Sequence, residues 1–140
     1  EQTAHSPHYY YHKFDPEDEK SHRRSIYRFV VRSQPNPFMT TLDCADSSQS
    51  TPKRNETLTA LQALSLLNNK FTLVMASHFA DRLAGEEEKI TRQVQLGFEL
   101  VAGRPPSAEE QNLLAEYASE HGMANLCRSL FSLSEFAFID

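Results

Sequence analysis

Apolar residues recur every third or fourth position from Thr57 to the end of the chain, and this spacing most constrains the fold. This spacing places the apolar residues on one face of an α-helix, and glycines interrupt the pattern at Gly85, Gly103 and Gly122. Ser107, followed three residues later by Glu110, forms a capping-box pattern that marks a helix start. The pattern predicts five helices, over about 57–69, 71–84, 86–102, 107–121 and 124–132, and Thr57 is the predicted cap of the first.

Residues 1–56 lack this regularity. Asp15 followed by Pro16 is typical of a helix start and predicts a short helix over about 16–23. Residues 26–31 are β-branched and aromatic, and their periodicity is compatible with either a strand or a helix. Residues 33–55 are rich in Pro, Ser, Thr and Asp and predict a long irregular excursion.

These patterns together predict a mainly α fold. We expect an antiparallel bundle of about five helices over residues 57–140, preceded by an irregular N-terminal arm over residues 1–56. A chain of 140 residues is long enough for one such domain, so both parts should belong to one folding unit. The apolar end, residues 134–140, should pack on the bundle.

Charge and composition narrow the classes of partner. The net charge is −5, and residues 71–140 carry five basic and eleven acidic side chains, so we expect no nucleic-acid partner. No apolar run approaches the length of a membrane-spanning helix. Glycine is absent before Gly85, which excludes a nucleotide-binding glycine loop near the start. The two cysteines, Cys44 and Cys127, are compatible with two buried thiols or with one long-range disulfide, and we favour the thiols.

Catalytic and metal-binding motifs are not evident. No Cys–His arrangement with zinc spacing and no HExxH pattern occurs, so the sequence predicts neither a catalytic residue nor a metal ligand, and enzymatic activity stays an open question. Six polar residues instead fall in or beside organised segments. They are Asp43, Asp46, Arg54, Asn55, Gln62 and Asn68.

Two interpretations of this polar cluster stay open. Gln62 and Asn68 lie within a leucine-rich helix, where buried amides need hydrogen-bond partners, and the backbone of the excursion would supply them. Alternatively, the same groups would line a polar cleft suited to a hydroxyl-rich ligand such as a sugar. Arg23 and Arg24 are candidate contacts for carboxylate, phosphate or sulfate; the alternative is structural ion pairing with acids such as Asp43 and Asp46.

Several motifs in this order resemble the planctomycete surface domain family, a domain of unknown function at the C-terminal end of large exported bacterial proteins. The matching pieces are Arg23-Arg24-Ser25-Ile26-Tyr27, Met39-Thr40-Thr41-Leu42-Asp43-Cys44-Ala45-Asp46, residues 58–68, Gly103-Arg104-Pro105-Pro106-Ser107 with Glu110, and Ser134-Glu135-Phe136 with Asp140. The family usually has Phe at Leu42, Pro at Ala45 and Ala60, and Asn at Ser134, which weakens any ligand role for those four positions.

The resemblance implies an exported context, periplasmic or at the cell surface, and a larger multidomain parent protein. The chain begins with Glu1 rather than Met, as expected for a piece of such a parent. Many family members also carry a cytochrome-c-like domain, so haem is expected elsewhere in the parent and no cofactor in this domain. The resemblance transfers no catalytic residue.

Two function hypotheses follow. The first is a non-catalytic helical domain that packs against other domains of the parent protein. The second is a polar-cleft part of a polysaccharide-active or haem-linked oxidoreductase system, with polysaccharide as its partner.

Overall fold

The computed structural model describes residues 10–27, 29–32, 34–46, 49–50, 57 and 59–137. Contacts divide the chain into two compact units, one ending at Ser65 and one beginning at Leu66. The boundary predicted after residue 56 and the single folding unit stay predictions.

The described residues form seven α-helices and no strand, which confirms the mainly α prediction. Five of the helices, α2 to α6, correspond to the five predicted from apolar spacing, and the first and last are additional. The seven are α1 (Pro37–Thr41), α2 (Ala60–Asn68), α3 (Lys70–Glu86), α4 (Ile90–Ala102), α5 (Ala108–His121), α6 (Met123–Leu130) and α7 (Ser134–Ala137).

The α-helix predicted over 16–23 is wrong, because this segment forms only one short 3₁₀ turn, Glu19–Ser21. Asp15 does not cap a long helix. Its carboxylate accepts a hydrogen bond from the Glu17 backbone N–H, and Asp18 in turn accepts one from Lys20. Two aspartates three residues apart therefore compete for neighbouring amide groups and hold two successive turns instead of one helix.

Neither alternative for residues 26–31 is correct among the positions that the structure describes. Ser25–Tyr27 form a 3₁₀ turn, residues 29–30 form neither helix nor strand, and Val31 forms only an isolated bridge with Gln34. No neighbouring strand covers these apolar residues among the described ranges, so β propensity alone does not produce a sheet here.

The predicted excursion contains one short helix, α1, that was not predicted. Asn36 caps α1 by accepting hydrogen bonds from the backbone of Phe38 and Met39, and Pro37 occupies the first helical position. Asparagine before proline is a helix-start signal as well as a turn signal. Residues 51–56 of the excursion lie outside the described residues.

In the second unit, two predicted boundaries are wrong. Gly85 does not end its helix, since α3 continues to Glu86. The acidic run from Glu86 to Glu88 does not begin the next helix either, because α4 starts at Ile90 after Lys89. The α3–α4 connection is consequently short and consists of Glu87, Glu88 and Lys89.

The end of α4 and both ends of α5 agree with the prediction. Gly103 ends α4 in the left-handed conformation, with φ 69°, and Gly122 follows α5 with φ 87°. Ser107 begins α5 with a complete capping box, since its hydroxyl accepts from the Glu110 N–H while the Glu110 carboxylate accepts from the Ser107 N–H. A sequence pattern confined to four residues is therefore sufficient to position this helix.

The hydrophobic core of the second unit lies where α3, α4, α5 and α6 meet. Its most buried side chains come from all four helices: Ala76, Leu83, Val94, Phe98, Ala118, Leu126, Cys127 and Leu130. Phe131 stacks between Phe79 and Phe136, with ring centroids 5.5 and 5.1 Å away. The contact with Phe136 places α7 on the bundle, as predicted for the described part of the tail.

Candidate functional site

Asp43 ends α1 in a conformation that few residues adopt. Its φ is 56°, the left-handed region that normally favours glycine and that aspartate tolerates better than most residues. The Cys44 N–H donates to Met39 O at 3.0 Å and the Asp43 N–H donates to Thr40 O at 3.2 Å. This pair of hydrogen bonds is a Schellman motif, which satisfies the last carbonyls of the helix.

The same residue organises the approach to α2 through its carboxylate. Asp43 Oδ2 accepts hydrogen bonds from the Thr57 N–H and the Thr57 hydroxyl, both at 2.7 Å, and from Gln62 Nε2 at 3.0 Å. Gln62 Nε2 also donates to the Thr57 hydroxyl oxygen at 3.0 Å. The side chains of Asp43, Thr57 and Gln62 thus form a closed hydrogen-bonded triangle that links the end of α1 to the start of α2.

Gln62 completes a second capping box at the start of α2. The Thr59 N–H donates to Gln62 Oε1 at 2.9 Å, and the Gln62 N–H donates to Thr59 Oγ1 at 3.2 Å. The cap is therefore Thr59, and the assignment of this role to Thr57 from sequence was wrong. Gln62 is only 7% exposed, and both its amide nitrogen and its carbonyl oxygen are hydrogen-bonded, as a buried amide requires.

Two other members of the predicted polar cluster, Asp46 and Asn68, have different hydrogen-bond partners. Asp46 accepts a hydrogen bond from Gln49 within a local turn. Asn68 lies at the opposite end of α2 from Gln62, where Arg128 donates to Asn68 Oδ1 at 2.8 Å and to Leu67 O at 2.7 Å. Arg54 and Asn55 lie outside the described residues. The structure thus brings Asp43 and Gln62 together, and a ligand role for the cluster stays a prediction.

Arg23 and Arg24 are exposed, and Arg32 is exposed nearby. None of the three forms an ion pair with any residue in the described ranges. The alternative of structural ion pairs from Arg23 or Arg24 to Asp43 or Asp46 is therefore not found among the described contacts.

Large apolar side chains stand exposed between these arginines. The exposed fractions are 81% for Ile26, 72% for Tyr27, 64% for Phe29 and 55% for Val30. We call residues 23–32 the arm segment; its residue 28 lies outside the described residues.

The arm segment is anchored at both ends. His22 Nε2 lies 2.8 Å from the carbonyl oxygen of Pro16, which can only accept, so this nitrogen carries the proton. At the other end the Tyr11 hydroxyl donates to Gln34 O at 2.7 Å and accepts from the Val31 N–H at 3.3 Å. The apolar side chains are thus presented by a tethered segment.

A polar cluster in the second unit was not predicted as a site. Arg104 makes a two-pronged contact with Glu110, with nitrogen–oxygen distances of 2.9 and 2.8 Å, and lies 3.7 Å from a Glu135 oxygen. Its guanidinium also stacks over the Phe98 ring at 4.8 Å. Arg104 and Glu110 belong to one of the family motifs given above, and Glu135 belongs to another. The series of motifs was therefore the sequence signal from which this cluster could have been found.

This cluster shifts the pKa of its two main members. The hydrogen bonds from Arg104, followed by the Ser107 N–H, lower the pKa of Glu110 from 4.5 to about 2. The hydrogen bond with Glu110 raises the pKa of Arg104. The arrangement fixes the α4–α5 connection and the start of α5, which is a structural role.

The two cysteine thiols are free. Cys127 is fully buried in the core, and burial raises the pKa of its thiol to about 12, whereas Cys44 is half-buried. No group of three or more His, Cys, Asp or Glu side chains in the described part of the chain is placed to hold a metal ion. None of the described helices has the length and apolar character needed to cross a membrane.

The fold and its polar contacts define a mainly helical domain in which hydrogen-bonded side chains secure helix ends. The chain belongs to the PSD1 family of proteins of unknown function (DUF1553), whose model matches residues 2–118. This match confirms the resemblance to the planctomycete surface domain, although it ends before the Ser134-Glu135-Phe136 motif. No curated protein and no solved structure matches the chain.

Proposed function

We propose that this chain is a non-catalytic helical domain that packs against another domain of a larger exported protein. The observation that carries the proposal is the exposure of four large apolar residues, Ile26, Tyr27, Phe29 and Val30, within five positions of the arm segment. Clustered apolar surface of this kind is typical of interaction sites. The exported context rests on the family resemblance, and fractionation of the source cells tests it.

The polar side chains support the same proposal. Asp43, Gln62 and Glu110 each bond to a helix start or to the segment before it. Their hydrogen-bonding groups are thus directed at the chain itself, as expected of residues that maintain a scaffold. The proposal places no cofactor in this chain and assigns haem to another domain of the parent.

Anchoring gives the arm segment an advantage as a docking surface. The contacts of His22 with Pro16 and of Tyr11 with Val31 and Gln34 restrict its ends before any partner arrives. Less conformational entropy is then lost on docking, which favours affinity.

Photo-cross-linking in the full-length parent protein tests this proposal. A photoreactive phenylalanine analogue replaces Tyr27, and the matched control replaces Leu113 on α5, which is exposed to a similar degree, 68% against 72%. We expect cross-links from position 27 to other domains of the same polypeptide, and few from position 113. Absence of cross-links from position 27, or equal yields at both positions, would contradict the proposal.

A further inference from the structure

The arm segment carries positive charge in an otherwise acidic chain. Residues 20–32 contain Lys20, Arg23, Arg24, Arg28 and Arg32 and no Asp or Glu, although the whole chain has a net charge of −5. Acidic residues stop immediately before this stretch, at Glu19. The segment is therefore a local positive patch.

Three of these charged side chains form no ion pair within the described part of the chain. The ion pairs formed among the described residues use Arg82, Arg104 and His121. Arg23, Arg24 and Arg32 form none there, and all three are exposed. Their guanidinium groups are available for two-pronged hydrogen bonding to carboxylates of a partner.

We infer that the arm segment recognises an acidic protein surface on the partner domain, an inference that rests on the proposed function. Tyrosine and arginine, which are neighbours in this segment, are among the residue types most enriched at the energetic centres of protein interfaces. In this arrangement Ile26, Tyr27 and Val30 bury apolar area, while the flanking arginines pair with Asp and Glu of the partner.

The apolar residues distinguish a protein partner from other polyanions. A phosphate backbone offers little apolar surface on which Ile26 and Val30 could be buried. A protein surface can present carboxylates and apolar area together.

The experiment combines charge reversal with the cross-linker at position 27 of the full-length parent. The double variant Arg23→Glu/Arg24→Glu should lower the cross-linking yield about tenfold, because like charges would then face each other. About 0.5 M NaCl should lower the wild-type yield as well. The control Lys89→Glu/Arg92→Glu makes the same change in net charge on the second unit and should leave the yield unchanged. The cross-linked peptides should be rich in Asp and Glu.

The outcomes separate this inference from the proposed function. If charge reversal and salt leave the yield unchanged while Ile26→Ser lowers it, the domain docks through apolar contact alone and only the inference is overturned. If position 27 yields no cross-links in the wild type, the proposed function fails with it. Binding of the wild-type chain, but not of the Arg23→Glu/Arg24→Glu variant, to phosphatidylserine vesicles or to a DNA duplex would overturn the choice of a protein partner.

Discussion

Asp43 has two separate structural roles, one through its backbone and one through its side chain. Its backbone occupies the left-handed region at the end of α1, and its carboxylate accepts three hydrogen bonds from Thr57 and Gln62. Glycine would fill only the first role and most other residues with a polar side chain only the second. Aspartate and asparagine are the residues that combine a tolerated positive φ with a short polar side chain.

Two substitutions at Asp43 separate these roles. Asp43→Gly removes the carboxylate and should lower the free energy of unfolding by about 2 kcal/mol, because hydrogen bonds to a charged group are lost and the buried Gln62 amide loses a partner. Asp43→Ala should cost about 1 kcal/mol more than Asp43→Gly, because alanine is strained at a positive φ. Urea unfolding measures both values.

Asp15→Ala is the control for Asp43, since Asp15 is exposed and the hydrogen bond that its carboxylate accepts from the Glu17 N–H is local. We expect it to change stability by less than about 0.5 kcal/mol. Equal stability of the Gly and Ala variants would contradict the backbone argument, and wild-type stability of Asp43→Gly would contradict the argument from the carboxylate.

Cys127 and Cys44 should differ sharply in reactivity. Burial holds Cys127 in the thiol form, with a pKa of about 12, and also denies reagents access, while Cys44 is half-buried. Iodoacetamide near neutral pH, without reductant, should label Cys44 alone in the native protein and both cysteines in urea. Mass spectrometry counts the labels, and labelling of Cys127 at the rate of Cys44 would show that the core is open.

For individual residues, the sequence predicted which polar side chains are structurally important, but it did not predict which partners they contact. Asp43 and Gln62 were both selected as polar residues in organised segments, yet their hydrogen bond spans 19 positions and depends on the path of the chain between them. No local pattern encodes that path. The Thr59 cap was missed although the Thr-x-x-Gln spacing was visible, because Thr57 stood as a competing candidate two residues earlier.

Among the helices, some starts are determined by residues within one turn, whereas others depend on contacts with the preceding helix. The α5 start was predicted correctly because Ser107 and Glu110 bond to each other and need no third segment. The predicted start of α4 at residue 86 was wrong because Glu86 belongs to α3, where it pairs with Arg82, four residues earlier on the same helix. An acidic run is favourable at a helix start, but an arginine one turn away can hold its first member in the preceding helix.

The α5 start should also respond to pH through Glu110. Because its pKa is lowered from 4.5 to about 2 in the folded chain, the stability that its carboxylate contributes is present above pH 4.5 and is lost as the pH falls toward 2. Glu110→Gln should therefore unfold at a lower temperature than the wild type near neutral pH. The difference between the two unfolding temperatures should shrink over that acidic interval.

Glu109→Gln provides a charge-matched control in the same turn of α5, because its charge change is identical while the bonds of Glu110 to Arg104 and Ser107 stay intact. Its unfolding temperature should stay close to that of the wild type. A Glu110→Gln difference that is constant with pH would show that the carboxylate acts through its shape and packing.

For the molecule as a whole, the sequence predicted the helical class because apolar periodicity is repeated in each long helix. It did not predict how closely those helices approach. Gly97 lies in the interior of α4, where a Cβ atom would stand 2.9 Å from Leu83 Cδ1 on α3. Leu83 is completely buried, so its side chain has little space into which it can move. Close packing of α3 and α4 thus depends on the absence of a side chain at Gly97.

A double-mutant cycle on Leu83 and Gly97 tests this packing. Leu83→Ala should lower the free energy of unfolding by about 3 kcal/mol through loss of buried area and the remaining cavity, whereas the exposed Leu113→Ala control should cost less than about 0.5 kcal/mol.

The Gly97→Ala substitution tests whether the distance between α3 and α4 depends on the absence of a side chain at position 97. In the wild type the new methyl group collides with Leu83, which opposes the gain of about 1 kcal/mol that alanine has over glycine within a helix. In the Leu83→Ala background the collision is gone, so Gly97→Ala should stabilise the protein there by about that amount. The two substitutions should therefore be coupled by about 1 kcal/mol or more, measured by urea unfolding of all four proteins. Additive effects would mean that α3 and α4 are not held at the distance set by Gly97.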